Sequence, residues 1–316
     1  AAEIAKQIEE DYGTPFAKSL VELNGAKAPN GNRDGETNNG DLITDAILWY
    51  ATKDGGLDVD ADHTVALTNG GGIRAAIAIG DITKKDVNTV LPFGNTVAVI
   101  YVTGAELLEA LEASTYCTPD AVGGFPQVAG IQFTVDTSKA YDAGDLYPGS
   151  TYHAPKSINR VTIESINGKA FDPAAQYAVV TNDFTAAGGD TYYAFSVADV
   201  MNTGVPLDQV VMDYITTQLG GVIGEQYAAP QGRITVKTAA PVEPEQPEQP
   251  AQPEQPAEPV QPAEGETYVV VAGDCLWNIA YKLYGSGAQY TKLAEANKIA
   301  DPYVIYVGQI LTIPAK

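Results

Sequence analysis

The feature that most constrains this chain is a stretch in which proline recurs at every third position, from Pro241 to Pro262. Each proline lacks a backbone N–H and biases the preceding residue away from the helix, so neither a helix nor a sheet can form there. The period matches the three residues per turn of polyproline II, and six glutamates without a cation between Pro241 and Glu264 extend the segment further. We therefore predict that residues 241–265 are a stiff acidic linker between two folded parts, rather than a ligand for an SH3-type domain.

The linker separates two parts of very different charge. The 316 residues include 40 acidic and 18 basic side chains, which give a formal net charge of −22. Residues 1–240 hold 30 of the acids and 14 of the bases, whereas residues 266–316 hold four of each. Such an acidic chain repels phosphate backbones and anionic membranes, so nucleic acid is a poor partner. No apolar run reaches about 18 residues, so we expect no membrane span.

Residues 20–240 are predicted to form an α+β domain with a mixed sheet. Apolar residues at helical spacing predict helices over Gly40–Lys53, Thr103–Ser114 and Pro206–Leu219. Thr103 followed by Glu106 is a capping box for the second helix. Runs rich in β-branched residues predict six strands, which alternate with the helices without a strict βαβ order. These strands are His63–Thr68, Thr96–Val102, Ile131–Asp136, Arg160–Ile166, Tyr177–Asn182 and Arg233–Lys237.

Residues 266–316 predict a smaller βααβ module. Its elements are a strand at Tyr268–Val271, helices at Leu276–Tyr284 and Thr291–Asn297, and a strand at Ile310–Ile313. Asp274 stands where it can cap the first helix. The runs GDCLWNIA and YVGQILTIP, with Asn297 between them, resemble a LysM domain over its full length.

The LysM resemblance implies binding of peptidoglycan or other N-acetylglucosamine glycans, and therefore a secreted protein associated with the cell wall or cell surface. By position, the glycan groove would use Gly273, Asp274, Leu276, Ile305 and Gly308. Cys275 stands where the family more often has Thr or Ser, and we expect it to be a buried structural thiol. We expect Trp277 to belong to the core of the module rather than to a sugar platform.

Four clusters in the large domain carry chemistry when they are taken together. They are NRDGETNNGDLITDA from Asn32, LTNGGGIRA from Leu67, VLPFGN from Val90 and VVTNDFTAAGGDTYYAF from Val179. Taken singly, each is typical of an ordinary turn, and GGGIR lacks the spacing and the Lys of a phosphate loop. Phe93 and Phe184 can present two rings to a flat base, and each stacked ring contributes roughly 1–3 kcal/mol.

The polar residues of these clusters complete a nucleotide site. Asn69 offers both an amide donor and an amide acceptor to the edge of a base, and Asp190 can accept hydrogen bonds from both hydroxyls of a ribose. Arg33 and Arg74 can hold a phosphate through charge-assisted hydrogen bonds. Gly71 and Gly72 permit close approach of the backbone.

Five motifs in the same order resemble the C-terminal domain of bacterial and animal 5′-nucleotidases over residues 20–237. They are ETNNGDLITDA, NGGGIRA, VLPFGN, QVAGIQF and TNDFTAAGGDTY. The resemblance implies a substrate-recognition domain in which the residues named above have the same roles. It also implies that residues 1–19 are a helix and linker that join this domain to a preceding one, with the helix over Ala1–Tyr12. Which nucleotide is bound stays open among AMP, other mononucleotides, UDP-sugars and 2′,3′-cyclic nucleotides.

Intact members of that family carry an N-terminal metallophosphoesterase domain with two divalent metal ions. Here His63 and His153 are isolated, and no Asp-x-His or Gly-Asn-His run is present. We therefore predict no catalytic residue, metal site or cofactor within this chain, and no hydrolytic activity of the chain alone. The predicted function is nucleotide recognition and cell-wall anchoring for an exported 5′-nucleotidase-type phosphoesterase. A stand-alone nucleotide- or nucleoside-binding wall protein and a wall-anchored adhesin are the alternatives.

Overall fold

The computed structural model describes residues 12–55, 57–238, 267–271, 274–284, 286–300, 305–306 and 308–314. The chain divides into two compact units, Ala1–Pro244 and Glu245–Lys316. The linker predicted over residues 241–265 and most of the predicted inter-domain helix lie outside the described residues. None of the helices in the described ranges is long and apolar enough to cross a membrane.

The larger unit contains strands and helices that alternate along the chain. Its strands are β1 (Pro15–Ser19), β2 (Thr64–Asn69), β3 (Gly80–Thr83), β4 (Thr96–Thr103), β5 (Pro126–Ala129), β6 (Ile131–Asp136), β7 (Ala143–Leu146), β8 (His153–Pro155), β9 (Val161–Ile166), β10 (Gln176–Asn182), β11 (Val200–Pro206), β12 (Val222–Ile223) and β13 (Ile234–Lys237). Its helices are α1 (Asn38–Thr52), α2 (Lys84–Val90), α3 (Gly104–Ser114), α4 (Asp183–Ala186) and α5 (Leu207–Asp213).

The central sheet has five strands in the order β11-β4-β10-β2-β5. Strand β10 runs parallel to β2, and the other neighbours are antiparallel. Two further sheets have the orders β12-β1-β3 and β13-β6-β9, and each combines one parallel with one antiparallel pair. The predicted α+β fold with mixed sheets is confirmed.

Strand β1, Pro15–Ser19, lies between the helix expected over Ala1–Tyr12 and residue 20, where the domain was expected to begin. It pairs with both β3 and β12. Because its hydrogen bonds lie within these sheets, this segment belongs to the folded unit.

Hydrophobic cores cover both faces of the central sheet. Val97 and Val99 of β4 are buried on one face against α1 and α5, whereas Ala98 and Ile100 are buried on the other face with α3, β6 and β9. This alternation follows from the two-residue period of a strand. Helix α3 begins with both hydrogen bonds of the predicted Thr103 capping box.

The smaller unit contains β14 (Thr267–Val269), α6 (Leu276–Tyr284), α7 (Tyr290–Ala296) and β15 (Ile310–Thr312), with β14 and β15 antiparallel. This order confirms the predicted βααβ module. Asn297 connects the end of α7 to β15, because its amide donates to the carbonyls of Leu293 and Thr312 at 2.8 Å and accepts from the Thr312 N–H at 2.6 Å.

Two side-chain predictions for this module were wrong. Cys275 is exposed rather than buried, because it immediately precedes α6 at the surface of the unit. Trp277 is 52% exposed and is not a core residue. Its indole ring covers Gly287, where a Cβ would lie 2.2 Å from Nε1, and it lies 5.8 Å from the ring of Tyr290.

Candidate functional site

Four loops of the larger unit meet at one end of the central sheet. The parallel strands β2 and β10 end at Asn69 and Asn182, and their carboxyl ends therefore lie at the same sheet edge. The antiparallel neighbours begin at this edge, because Asn182 pairs with Val97 and Asn69 pairs with Pro126. Carboxyl ends of parallel strands are the usual place for a ligand crevice in α/β sheets. The loops carrying the four sequence clusters thus converge on one place.

These loops enclose an open cleft with a volume of about 470 Å³. All eight residues predicted to bind nucleotide line it: Arg33, Asn69, Gly71, Gly72, Arg74, Phe93, Phe184 and Asp190. Two further residues, Asn95 and Gly123, line the cleft and were not assigned a role from sequence. Asn95 lies in the VLPFGN cluster and could have been found there, whereas Gly123 belongs to no cluster with recognisable chemistry.

The glycine run after β2 lets three chain segments approach closely. A Cβ at Gly70 would lie 1.7 Å from the carbonyl oxygen of Asn32, so no side chain fits there. The Gly70 N–H donates to the Phe125 carbonyl and the Gly71 N–H donates to the Gly123 carbonyl, both at 2.7 Å. This packing holds the segment containing Arg33 beside the end of β2.

A network of amides fixes the orientation of Asn69. Its Oδ1 accepts hydrogen bonds from Asn182 Nδ2 at 3.2 Å and from Thr185 Oγ1 at 3.4 Å, and its Nδ2 donates to Asp190 Oδ2 at 3.0 Å. Both acceptor positions of the Asn69 amide are therefore occupied, and one N–H remains. Asn69 can only donate to a ligand, whereas the sequence had suggested both donation and acceptance.

The two phenylalanine rings are unusually exposed for apolar side chains. Phe93 is 62% and Phe184 is 45% exposed. The Phe184 ring lies directly over Gly189, where a Cβ would come within 2.5 Å of the ring. The Arg74 guanidinium carbon lies 5.6 Å from the centroid of the Phe93 ring, within range of a cation–π contact. Both rings leave surface free for a flat ligand.

The two arginines of the cleft lack acidic partners among the described residues. Arg74 Nη1 donates only to the carbonyl of Gly71, at 3.2 Å. Arg33 Nε is buried and has no hydrogen-bond partner in the described part of the chain. A buried polar group without a partner costs free energy, which an anion in the cleft would recover.

The backbone around Asp190 is held by its neighbours. Asp190 has φ of 52°, in the left-handed region that Asp tolerates better than most residues. The adjacent Thr191 and Tyr192 are buried, and the Tyr192 hydroxyl donates to the Gly124 carbonyl at 2.6 Å. Burial raises the pKa of Tyr192 above its usual range, so this hydroxyl stays a donor. Oδ1 of Asp190 accepts no hydrogen bond from the described residues, so this oxygen is free to accept one from a ligand.

A di-metal centre cannot be built from the described residues. No three side chains of His, Cys, Asp or Glu converge among them. His63 instead contacts Asp60 Oδ1 at 2.6 Å, and His153 Nδ1 lies 2.8 Å from the Gly144 carbonyl. The two metal ions implied by the family resemblance therefore do not fit these residues.

The predicted glycan residues of the smaller unit have different environments. The Asp274 carboxylate accepts from the Val271 N–H at 3.0 Å, from the Tyr268 hydroxyl at 2.7 Å and from Lys282 Nζ at 3.2 Å. These contacts lower the pKa of Asp274, with the backbone N–H as the largest cause. Asp274 therefore anchors the turn after β14 and, among the described residues, does not cap α6 as predicted.

The other predicted glycan residues vary in exposure. Leu276 is buried in the core of the module, Ile305 is half-buried against the same core, and Gly308 has φ of 86° with no atom near its Cβ position. Gly273 lies outside the described residues. The side chain of Leu276 is thus not available to a ligand.

Comparison with known proteins agrees with both units. The model of the 5′-nucleotidase C-terminal domain family matches residues 17–197, and the LysM domain model matches residues 268–314. The trifunctional nucleotide phosphoesterase protein YfkN of Bacillus subtilis is 38% identical over 204 residues, which are 64% of this chain and 12% of that protein. The cell wall protein Lmo0130 of Listeria monocytogenes is 34% identical over 220 residues, 67% of this chain and 25% of that protein.

A solved structure agrees with the sequence relatives. The 5′-nucleotidase precursor of Thermus thermophilus superposes with a TM-score of 0.59 at 32% identity, over 75% of this chain and 42% of that one. The chain thus spans only a minor part of the proteins that it matches. Because the family model covers more than half of the chain, the chain belongs to the family of 5′-nucleotidase C-terminal domains, here followed by a LysM domain.

Proposed function

We propose that this chain is the nucleotide-recognition and cell-wall-anchoring part of an exported 5′-nucleotidase-type phosphoesterase. The larger unit binds the nucleotide, and the LysM unit binds N-acetylglucosamine glycans such as peptidoglycan. The two divalent metal ions and the catalytic residues belong to a domain outside this chain. The name of the Listeria relative, a cell wall protein, supports the location, and the names of the nucleotidase relatives support the substrate class.

The use of arginine is the observation that carries the nucleotide assignment. The chain contains four arginines, Arg33, Arg74, Arg160 and Arg233. Arg160 donates to three backbone carbonyls just after α3. Arg233 forms an ion pair with Asp45 of α1 at 2.7 Å and lies 3.6 Å from Asp41 of the same helix. The other two line the cleft and pair with no acid in the described residues. In a unit with a large excess of acids, two unpaired guanidinium groups in one cleft are suited to a phosphate.

The remaining groups of the cleft match the other parts of a nucleotide. Exposed Phe93 and Phe184 offer rings to the base, and Asn69 offers one N–H to its edge. Asp190 Oδ1 accepts from the ribose. Within this chain the residues bind and orient the nucleotide, so that its phosphate is presented to the catalytic domain.

Binding of AMP to the full chain, followed by isothermal titration calorimetry, tests the nucleotide assignment. Replacing Phe93→Ala and Phe184→Ala together is expected to lower the affinity by roughly 10²-fold or more, because two stacking partners are lost. The control is Tyr281→Ala, which removes an equally exposed aromatic ring of the other unit, 63% exposed. If AMP does not bind, or binds the double variant as tightly as the parent chain, the assignment fails.

The assignment to a larger enzyme is tested in the source cells. An antibody against residues 20–237, applied to isolated cell walls, is expected to detect a protein tens of kilodaltons heavier than the 33.2 kDa of this chain. A wall-bound band near that mass would instead support the stand-alone binding protein.

A further inference from the structure

A small cavity adjoins the nucleotide cleft. Its volume is about 20 Å³, and Asn69, Gly72, Phe93 and Asn95 line both spaces. A space of this size holds about one water molecule, or one nitrogen or oxygen atom of a ligand. The cavity is thus large enough for a substituent of a base but not for its ring.

Asp208, at the start of α5, gives this cavity its charge. One carboxylate oxygen, Oδ2, accepts a hydrogen bond from Asn88 Nδ2, and Oδ1 has no donor among the described residues. No Lys, Arg or His in the described ranges forms an ion pair with it. The Leu207 N–H donates to the Asn95 carbonyl at 2.8 Å, which fixes the start of α5 beside the cleft.

The amides of the cavity wall leave a defined set of free groups. Asn182 is saturated, because its Nδ2 donates to Thr68 and Asn69 and its Oδ1 accepts from Thr185 N and Asn95 Nδ2. Asn95 therefore keeps a free Oδ1 and one free N–H. Together with the free oxygen of Asp208 and the remaining N–H of Asn69, the cavity presents acceptors beside donors.

We propose that Asp208 determines base specificity by accepting a hydrogen bond from an exocyclic amino group, so that the cleft selects adenine and cytosine nucleotides. This inference rests on the proposed nucleotide binding. The 6-amino group of adenine, or the 4-amino group of cytosine, fills the small cavity and donates to Asp208 Oδ1. The neighbouring ring nitrogen, an acceptor in both bases, receives an N–H of Asn69 or Asn95. Hypoxanthine and uracil place a carbonyl oxygen there instead, and its lone pairs face those of the carboxylate.

Comparison of AMP with IMP in the full chain tests this inference, with CMP and UMP as a second pair. We expect the parent chain to bind AMP about 10- to 100-fold more tightly than IMP. AMP donates a hydrogen bond to the charged Asp208 carboxylate, whereas IMP leaves that carboxylate oxygen without a donor. In Asp208→Asn, the Asn88 donor holds the introduced amide oxygen, so the amide NH₂ faces the cavity. The preference should then disappear or reverse in favour of IMP.

The control is Asp213→Asn, which removes the same charge from the same helix. Asp213 accepts from Gln209 at 2.8 Å and does not line the cleft. A structural role of Asp208 would weaken the binding of both nucleotides equally, so only the ratio of affinities reports on specificity.

Purine riboside 5′-monophosphate, which lacks the amino group, gives the same test without a variant and should bind the parent chain about 10-fold or more weakly than AMP.

The possible results are distinct. Equal affinity of the parent chain for AMP and IMP, or an unchanged ratio in Asp208→Asn, would overturn the specificity inference while leaving nucleotide binding intact. Failure of all four nucleotides to bind the parent chain would overturn the proposed function itself.

Discussion

Gly189 offers a way to move one ring of the cleft without replacing any residue that is proposed to bind the ligand. A Cβ at this position would lie 2.5–2.6 Å from three atoms of the Phe184 ring, a separation at which the ring must move. The backbone of Gly189 is not in the left-handed region, so alanine is permitted there apart from this contact. The substitution Gly189→Ala should therefore displace the Phe184 ring and change little else.

The size of the effect follows from the loss of one stacking partner. Each base–aromatic stack contributes about 1–3 kcal/mol, so Gly189→Ala should weaken AMP binding by roughly 5- to 150-fold. This loss cannot greatly exceed that of Phe184→Ala, because the same ring is lost in both variants. In a Phe184→Ala background the added alanine meets no ring, and it should then have no further effect.

A double-mutant cycle of AMP affinities, measured by calorimetry, tests whether Gly189→Ala and Phe184→Ala act through the same ring. The matched control is Gly35→Ala, because a Cβ at Gly35 has no atom within 4 Å. The reasoning is refuted if the losses from Gly189→Ala and Phe184→Ala add, or if Gly189→Ala binds AMP like the parent chain.

Three further predictions concern charged side chains. Arg33→Gln and Arg74→Gln should each weaken AMP binding about 10- to 100-fold and leave adenosine binding unchanged, as measured by calorimetry, whereas Lys139→Gln on the exposed surface should alter neither. Burial raises the pKa of Asp41 from 3.8 to about 8, and the charge of Glu36 adds to this shift whereas that of Arg233 opposes it. Because the folded chain then holds this proton more tightly than the unfolded chain, the free energy of unfolding should fall as the pH rises from about 4 to about 8. In urea unfolding, Asp41→Asn should show a smaller fall of that free energy over the same pH range. Glu112 is fully buried, and its carboxylate accepts hydrogen bonds from the N–H groups of Asn159, Arg160 and Val161. Glu112→Gln should therefore lower the free energy of unfolding, measured by urea titration, by about 2 kcal/mol. The control Glu164→Gln, at an exposed position, should leave it unchanged.

Elements with strong local signals could be predicted from the sequence. The capping box at Thr103 located α3, and runs of β-branched residues located β4, β6 and β10 within one residue at each end. Helix α5 was predicted to continue to Leu219, but the α-helix ends at Asp213 and a π turn follows over Tyr214–Gln218. The π turn spans only five residues, too few for its wider period to show in the apolar pattern of the sequence.

The exposed edge strand β11 carries too little pattern to be found from sequence. β11 has the sequence VMNTGVP, which contains Asn, Gly and Pro and reads as a turn. It lies at the edge of the central sheet beside β4, and all seven of its residues are exposed or half-buried. Burial therefore does not impose alternation on it, whereas β4 is covered on both faces. Strands β7 and β8 form a separate two-stranded sheet and were missed for the same reason.

The polarity of the candidate site depends on contacts that are distant in sequence. The residue types at the end of β2 suggested an amide with both functions, but the partners of Asn69 at Asn182 and Asp190 are 113 and 121 residues away. Only the fold brings them together and turns Asn69 into a donor. Asp208 likewise stands at an ordinary helix start, and its unpaired oxygen becomes visible only once Asn88 is seen to occupy the other.

This fixed polarity has a consequence for recognition. An isolated asparagine can rotate its amide to suit either a donor or an acceptor, so it discriminates weakly between bases. Here rotation of Asn69 would break three hydrogen bonds at once, two at its oxygen and one at its nitrogen. The rings of Phe93 and Phe184 can stack on any base. Selection among bases must therefore come from the fixed amides of Asn69 and Asn95 and from the Asp208 carboxylate rather than from the two rings.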